Sequence, residues 1–254
     1  MKREIKKKEN PEEFAARLDE LEFKYGAEAA DPETMTEIIC KRVHALIRRL
    51  PYHREPDKVP FSNGLYFFYE TGEKSPHDTK GRIVRIGNHP RKKDGLQDRL
   101  RMHYSPNKNF SVFRKFLGGA LMRKCDPNNP CLRPHPGKGH WEKQDAPKCS
   151  KCESVEKDVD RLLKRKFSFR CVNIQNKHER DRFEKKIIGI ISKCGICKPS
   201  SRWLGLKSYS AKVKSSGLWN SNHVFGPDQM TPLDLVKLKR YVDQTIKLYR
   251  KQLS

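Results

Sequence analysis

A chain of 254 residues is long enough to bury one sizeable core, and 55 Lys and Arg against 31 Asp and Glu leave it a formal charge of +24. That excess argues against an acidic or neutral binding surface and for a polyanionic partner, nucleic acid before an anionic membrane. No run reaches the ~20 apolar residues of a transmembrane helix and no apolar core follows the basic start Met1 to Lys8, so a soluble, cytoplasmic protein is expected.

Asn10-Pro11-Glu12-Glu13 and Asp31-Pro32-Glu33 each put a capping side chain before a proline, with acids in the first turn, and predict two helix starts. The second helix carries Met35, Ile38, Ile39, Val43, Leu46 and Ile47 along one face. Pro51, Pro56 and Pro60 mark a linker. Gly64 to Glu70 and Arg82 to Gly87 read as strands joined by a polar, turn-rich loop. Gly95 to Tyr104 and Phe110 to Met122 read as helices, the second with Phe110, Phe113, Leu117 and Leu121 on one face and Gly118-Gly119 weakening it. Cys125 to Cys152, rich in Pro, Gly and Cys, reads as an inserted loop. Phe167 to Ile174 is strand-like, a helix follows from about Glu179 to Ser192, and an irregular stretch runs to Phe225. Thr231-Pro232-Leu233-Asp234 caps a final amphipathic helix with Leu235, Leu238, Val242, Ile246 and Tyr249. The order is a mixed α+β pattern without an internal repeat.

Phosphodiester hydrolysis needs a group to activate water, a cation to offset phosphate charge, a carboxylate for a hard metal and a residue to orient the nucleophile. Arg99 and His103, at i and i+4, point to one side of their helix. Glu184 shares a stripe with Ile188 and Ile191 beside the apolar line Phe183, Ile187 and Ile190, so it faces the protein body and needs a partner or a metal. Taken singly, a strand tyrosine is usually core, an Arg/His pair a solvated face and a helix glutamate an ion pair.

Read in order, these residues carry a resemblance. Gly64-Leu65-Tyr66 and Val84-Arg85-Ile86-Gly87 resemble the two halves of the GIY-YIG nuclease signature. Arg99-Leu100-Arg101-Met102-His103 is similar to that family's Arg-Leu-x-x-His helix, Arg182 to Ile188 to its glutamate segment, and Ser216 to Asn220 to its closing asparagine segment. The resemblance runs from about Pro60 to Val224. It departs at Arg85, in place of the second signature tyrosine, at Asn88, in place of a common lysine, and in a longer loop between the strands. Asn222 rivals Asn220 for the asparagine's role.

The resemblance implies a small, mainly antiparallel three-stranded sheet flanked by helices. It implies Tyr66 as base or proton relay, His103 as the onward acceptor, Arg99 on the phosphate and Glu184 as ligand to one Mg²⁺ or Mn²⁺. Arg85 could hold a phosphate where tyrosine would orient water. The domain division expected is a helical extension over 1–55, the nuclease domain over 60–225 with the Cys-rich insertion 125–152, and a terminal helix over 226–254. The expected function is DNA cleavage by a restriction or phage-defence type endonuclease. Two rivals are a catalytically silent nucleic-acid binder of the same fold and a zinc-stabilised RNA-binding protein.

Eight cysteines without a secretion signal argue for metal or core roles rather than disulfides. Cys149-Ser-Lys-Cys152 has the loop that lets two thiolates reach one Zn²⁺, and Cys125 and Cys131 could complete the site, with His135 and His140 as substitutes. For Cys194-Gly-Ile-Cys197, metal and free buried thiols are equally good readings. The basic runs Lys2 to Lys8, Arg91 to Lys93 and Lys164 to Lys166 are solvated surface unless they border a cleft.

Overall fold

The computed structural model describes residues 32–77, 81–89, 95–128, 132, 141 and 150–253. The helix start at Asn10 and the run Arg91 to Lys93 lie outside them. The first element is helix α1 (Pro32–Arg48), whose Ile39, Val43 and Ile47 are buried as their spacing requires. Strands β1 (Gly64–Lys74) and β2 (Gly81–Gly87) follow, then α2 (Leu96–Tyr104), α3 (Val112–Cys125), α4 (Ser150–Lys166), β3 (Phe167–Asn173), α5 (Lys177–Lys193), α6 (Ala211–Ser216) and α7 (Pro232–Leu253). The order around the sheet is β2-β1-β3, antiparallel throughout, with Tyr66 opposite Gly87 on one side and Cys171 on the other.

Strand alternation divides the core. Tyr66, Phe68, Arg85 and Phe169 share the face covered by α2, α3 and α4, where the Phe68 ring meets His103, Tyr104 and Phe113. On the other face Arg170 donates to the Arg48 carbonyl at the end of α1 (2.5 Å), and Thr245 of α7 accepts from the Asn173 amide (2.9 Å). Helices α1 and α7, expected outside the central domain, thus contribute Val43, Ile47, Leu238 and Val242 to the core that holds the sheet. Among the described residues no helix is long and apolar enough to cross a membrane.

Four expectations change. β1 continues through polar Thr71 to Lys74, because buried Glu73 finds Arg82 of β2 (2.9 Å) and the Ser200 amide (3.1 Å), which offset the desolvation of its charge. The expected loop between the strands is therefore shorter, with Thr71 to Lys74 and Gly81 in strands. Helix α4 was not anticipated, although Val155, Val159, Leu162 and Leu163 have helical spacing and pack on the core. Phe110 precedes α3 and is 55% exposed, whereas α3 itself is buried on almost every side. Finally, Gly118 is a packing device rather than a weak point. Trp141 lies where a Gly118 side chain would be and donates from Nε1 to the Lys115 carbonyl (2.9 Å), which anchors the insertion to α3.

Candidate active site

Tyr66 lies mid-strand, and its partner must be glycine, since a Cβ on Gly87 would overlap the Tyr66 hydroxyl. The Tyr66 oxygen is 2.9 Å from His103 Nε2, and His103 Nδ1 is 2.8 Å from Ser111 Oγ. Ser111 is also the N-cap of α3, accepting from the Arg114 amide (3.2 Å), so the helix start fixes the serine that fixes the imidazole. A neutral His103 with its proton on Nδ1 satisfies this chain: it donates to Ser111 and accepts from Tyr66. That tautomer is assigned from the hydrogen-bond network. Burial, and then the charges of Arg99, Arg85 and Arg114, hold the His103 pKa well below that of a free imidazole.

Two guanidiniums flank the pair. Arg85 hydrogen-bonds Tyr66, donates from Nη1 to the Trp219 carbonyl and stands 5.0 Å over the Phe113 ring. Burial lowers its pKa, with the Tyr66 oxygen opposing the shift. Arg99 donates from Nη1 to the Phe110 carbonyl (3.0 Å). The Nε of each arginine has no hydrogen-bond acceptor.

Glu184 reaches this group from α5. Its carboxyl is pushed up to about 7, first by burial and further by Asp181, while Arg85, Arg99 and the Asn88 amide pull it down. Asn88, the residue after β2, ties both acids: its backbone bonds Glu184 and its side chain donates to Asp181 (2.8 Å). The desolvated Glu184 carboxyl is a hard-oxygen donor that fits a Mg²⁺ or Mn²⁺ ion keeping most of its waters, while both oxygens of Asp181, one turn before it, are taken by Asn88 and Lys177. The structure therefore brings Tyr66, Arg85, Arg99, His103 and Glu184 into one constellation.

Asn220 sits differently. Its side chain accepts from the Ile86 amide (3.1 Å) and donates to the Ile86 carbonyl (2.8 Å), while the Trp219 amide donates to the Val84 carbonyl (2.7 Å). The segment closes the free edge of β2 and holds Arg85 in place as a positioning element. Asn222 is exposed. Sequence reasoning missed Ser111 and Asp181. The first was signalled by a serine before the Val112-Phe113 helix start, the second by an acid three residues before Glu184.

Of the four cysteines assigned to zinc in the insertion, Cys125 ends α3 with an exposed thiol and Cys152 lies on α4, while Cys131 and Cys149 lie outside the described residues. Cys194 and Cys197 are buried and belong to another cluster, taken up below.

His103 gives a pH prediction. An unfolded imidazole takes a proton near 6.5, and folded His103 resists it, so the unfolded state binds more protons below that pH. This component of stability is full above about 6.5 and is lost as pH falls. The melting temperature of His103→Gln should accordingly fall less steeply than the parent's between pH 6.5 and 5; parallel curves would remove the buried neutral imidazole.

No curated protein and no solved structure matches the chain. The GIY-YIG domain family matches residues 38–248, a span that takes in the sheet, the constellation around Tyr66 and most of the helices α1 and α7. The chain belongs to the GIY-YIG domain family, and its α+β fold, a three-stranded antiparallel sheet flanked by helices, is that of a nuclease.

Proposed function

We propose that the protein is a divalent-metal-dependent DNA endonuclease that hydrolyses phosphodiester bonds at the Tyr66–His103–Glu184 constellation. The observation that carries this reading is the buried chain from Tyr66 through His103 to Ser111, set beside two guanidiniums and a desolvated carboxylate. Tyr66 takes a proton from the attacking water as its own hydroxyl proton passes to His103 Nε2. The imidazole is neutral and can receive it, and Ser111 keeps the ring turned for the transfer. Arg99 and Arg85 offset the charge that gathers on the phosphate oxygens. Glu184, with Asp181 behind it, would hold the Mg²⁺ or Mn²⁺, which when bound supplies Lewis-acid polarisation of the phosphate. The water oxygen bonds to phosphorus as the bond to O3′ breaks, the departing O3′ takes a proton from solvent water, and the ends are a 5′-phosphate and a 3′-hydroxyl. The +24 charge supplies affinity for the backbone independent of sequence.

Incubating plasmid and phage DNA with the protein and Mg²⁺ or Mn²⁺, with a metal-free control and a structured RNA alongside, tests this directly. Metal-dependent nicks or breaks with 5′-phosphates are expected. Intact DNA under both metals would sink the reading, and cleavage of RNA alone would replace the substrate. Sequencing the ends tests the narrower reading of a restriction or phage-defence enzyme, which requires a shared sequence at the cuts.

A further inference from the structure

Beyond the nuclease constellation, three distant segments bring sulfur and imidazole ligands together. Cys40 and His44 stand one turn apart on α1, His77 follows β1, and Cys194 and Cys197 close the C-terminal end of α5. At ~1.5 Å of rise per residue, Cys194 lies about 15 Å along the helix from Glu184, so this is a separate site. Cys194 Sγ is 3.4 Å from His77 Nε2 and Cys197 Sγ is 3.4 Å from His44 Nε2. The ligand atoms of Cys40, His44 and Cys197 lie within 4.8 Å of one another, as do those of Cys40, His77 and Cys194. Cys40, His44, Cys194 and Cys197 are each at most 2% exposed.

Buried free thiols behave as small apolar groups and pack among other apolar groups. Cys40, Cys194 and Cys197 belong to the core as well, but Cys40 meets both of the others and two imidazoles aim their Nε2 atoms at the sulfurs. In a tetrahedral zinc centre with Zn–S of about 2.3 Å and Zn–N of about 2.0–2.1 Å, neighbouring sulfur and nitrogen ligands stand roughly 3.5 Å apart, which the Cys197–His44 distance matches. The amides of Ile196 and Cys197 also donate to Cys194 Sγ, the turn that stabilises a ligating thiolate in a Cys-x-x-Cys loop.

We propose that Cys40, His44 and Cys197, whose ligand atoms already lie together, bind a structural Zn²⁺ with Cys194 as the fourth ligand, exchanging its contact with His77 for the ion. His44 rather than His77 supplies the nitrogen because it shares the rigid turn of α1 with Cys40. The ion clamps α1 to the C-terminal end of α5, the helix that carries Glu184, and closes over the end of the β1–β2 hairpin. Ordering α5 from its far end steadies Glu184 without touching it.

Elemental analysis should find zinc in the purified protein, with about one equivalent per chain lost in Cys197→Ser and in His44→Ala and kept in His77→Ala and Cys149→Ser. Because a ligand variant can misfold, the second measurement leaves the cluster intact. The zinc-edge X-ray absorption of Cys149→Ser, in which the insertion's cysteine set is broken, should fit three sulfurs and one nitrogen. A strong chelator should lower the melting temperature of that protein by several degrees, and Zn²⁺ but not Mg²⁺ should restore it. Folded Cys197→Ser with parental zinc, zinc lost on His77→Ala but not on His44→Ala, a Cys194–Cys197 disulfide in the reduced preparation, or zinc with no sulfur neighbours would each overturn the assignment.

Discussion

Replacing Glu184 by Gln should reduce DNA cleavage to background, a loss of at least ~10³-fold, because a metal ion's charge on the phosphate contributes several kcal/mol to the transition state and each 1.36 kcal/mol is tenfold. The amide keeps the shape and loses the anion that a divalent ion needs. DNA affinity should stay close to the parent's, since it rests on the basic surface rather than on one acid. Stability separates this loss from misfolding. Glu184 holds its proton up to about 7 in the fold, well above the ordinary carboxylate range, because burial disfavours the anion. The folded state thus binds more protons than the unfolded one, and its ionisation costs stability as pH rises toward 7. The amide does not ionise. At pH 8 without metal, Glu184→Gln should therefore melt at or above the parent's temperature. Single-turnover cleavage within tenfold of the parent's would remove Glu184 from the metal site.

How far such a site can be read from sequence depends on what kind of contact fixes each residue. Tyr66, Arg99, His103 and Glu184 were legible because strand and helix periods place them and their spacing resembles a known pattern. Arg85 was legible as a departure, but its bond to the Trp219 carbonyl was not, since that contact joins residues 134 positions apart. Asn220 illustrates the same limit. The sequence points to its importance, while its amide pairing along Ile86 emerges only when the closing segment lies on the edge of β2. Polar strand residues misled in the opposite sense. Thr71 to Lys74 read as loop because nothing local reveals that Arg82 neutralises Glu73. The cysteines divide similarly: the short Cys194 to Cys197 spacing was visible, but Cys40, His44 and His77 join it through the packing of α1, the hairpin and α5.

Tyr66→Phe should lower the cleavage rate by roughly 10²- to 10⁴-fold, the range for losing a positioned general base, with DNA affinity unchanged. The ring still fills its place against Phe68 and Gly87, so what disappears is the hydroxyl that links water to His103. Arg85 should behave differently. Tyr66 is only 1% exposed and Arg85 hydrogen-bonds its hydroxyl, so the guanidinium must shift when a phosphate and water enter, exchanging the tyrosine oxygen for phosphate oxygens. Arg85→Ala is therefore expected to weaken binding as well as rate, and to reduce the salt slope of binding by about one phosphate contact. Arg85→Lys keeps the charge, but one ammonium cannot hold the Trp219 carbonyl and a phosphate in the fork geometry, so it should recover affinity more than rate. Arg85→Tyr restores the ring of the family's signature beside Phe113 and should retain measurable cleavage, because the Tyr66–His103 chain is untouched. Salt titrations and single-turnover rates on the four variants decide the roles. If Tyr66→Phe cuts at the parental rate while Arg85→Ala is inactive, the proton path runs through Arg85's neighbourhood rather than through His103, and the order of steps proposed for Tyr66 is wrong.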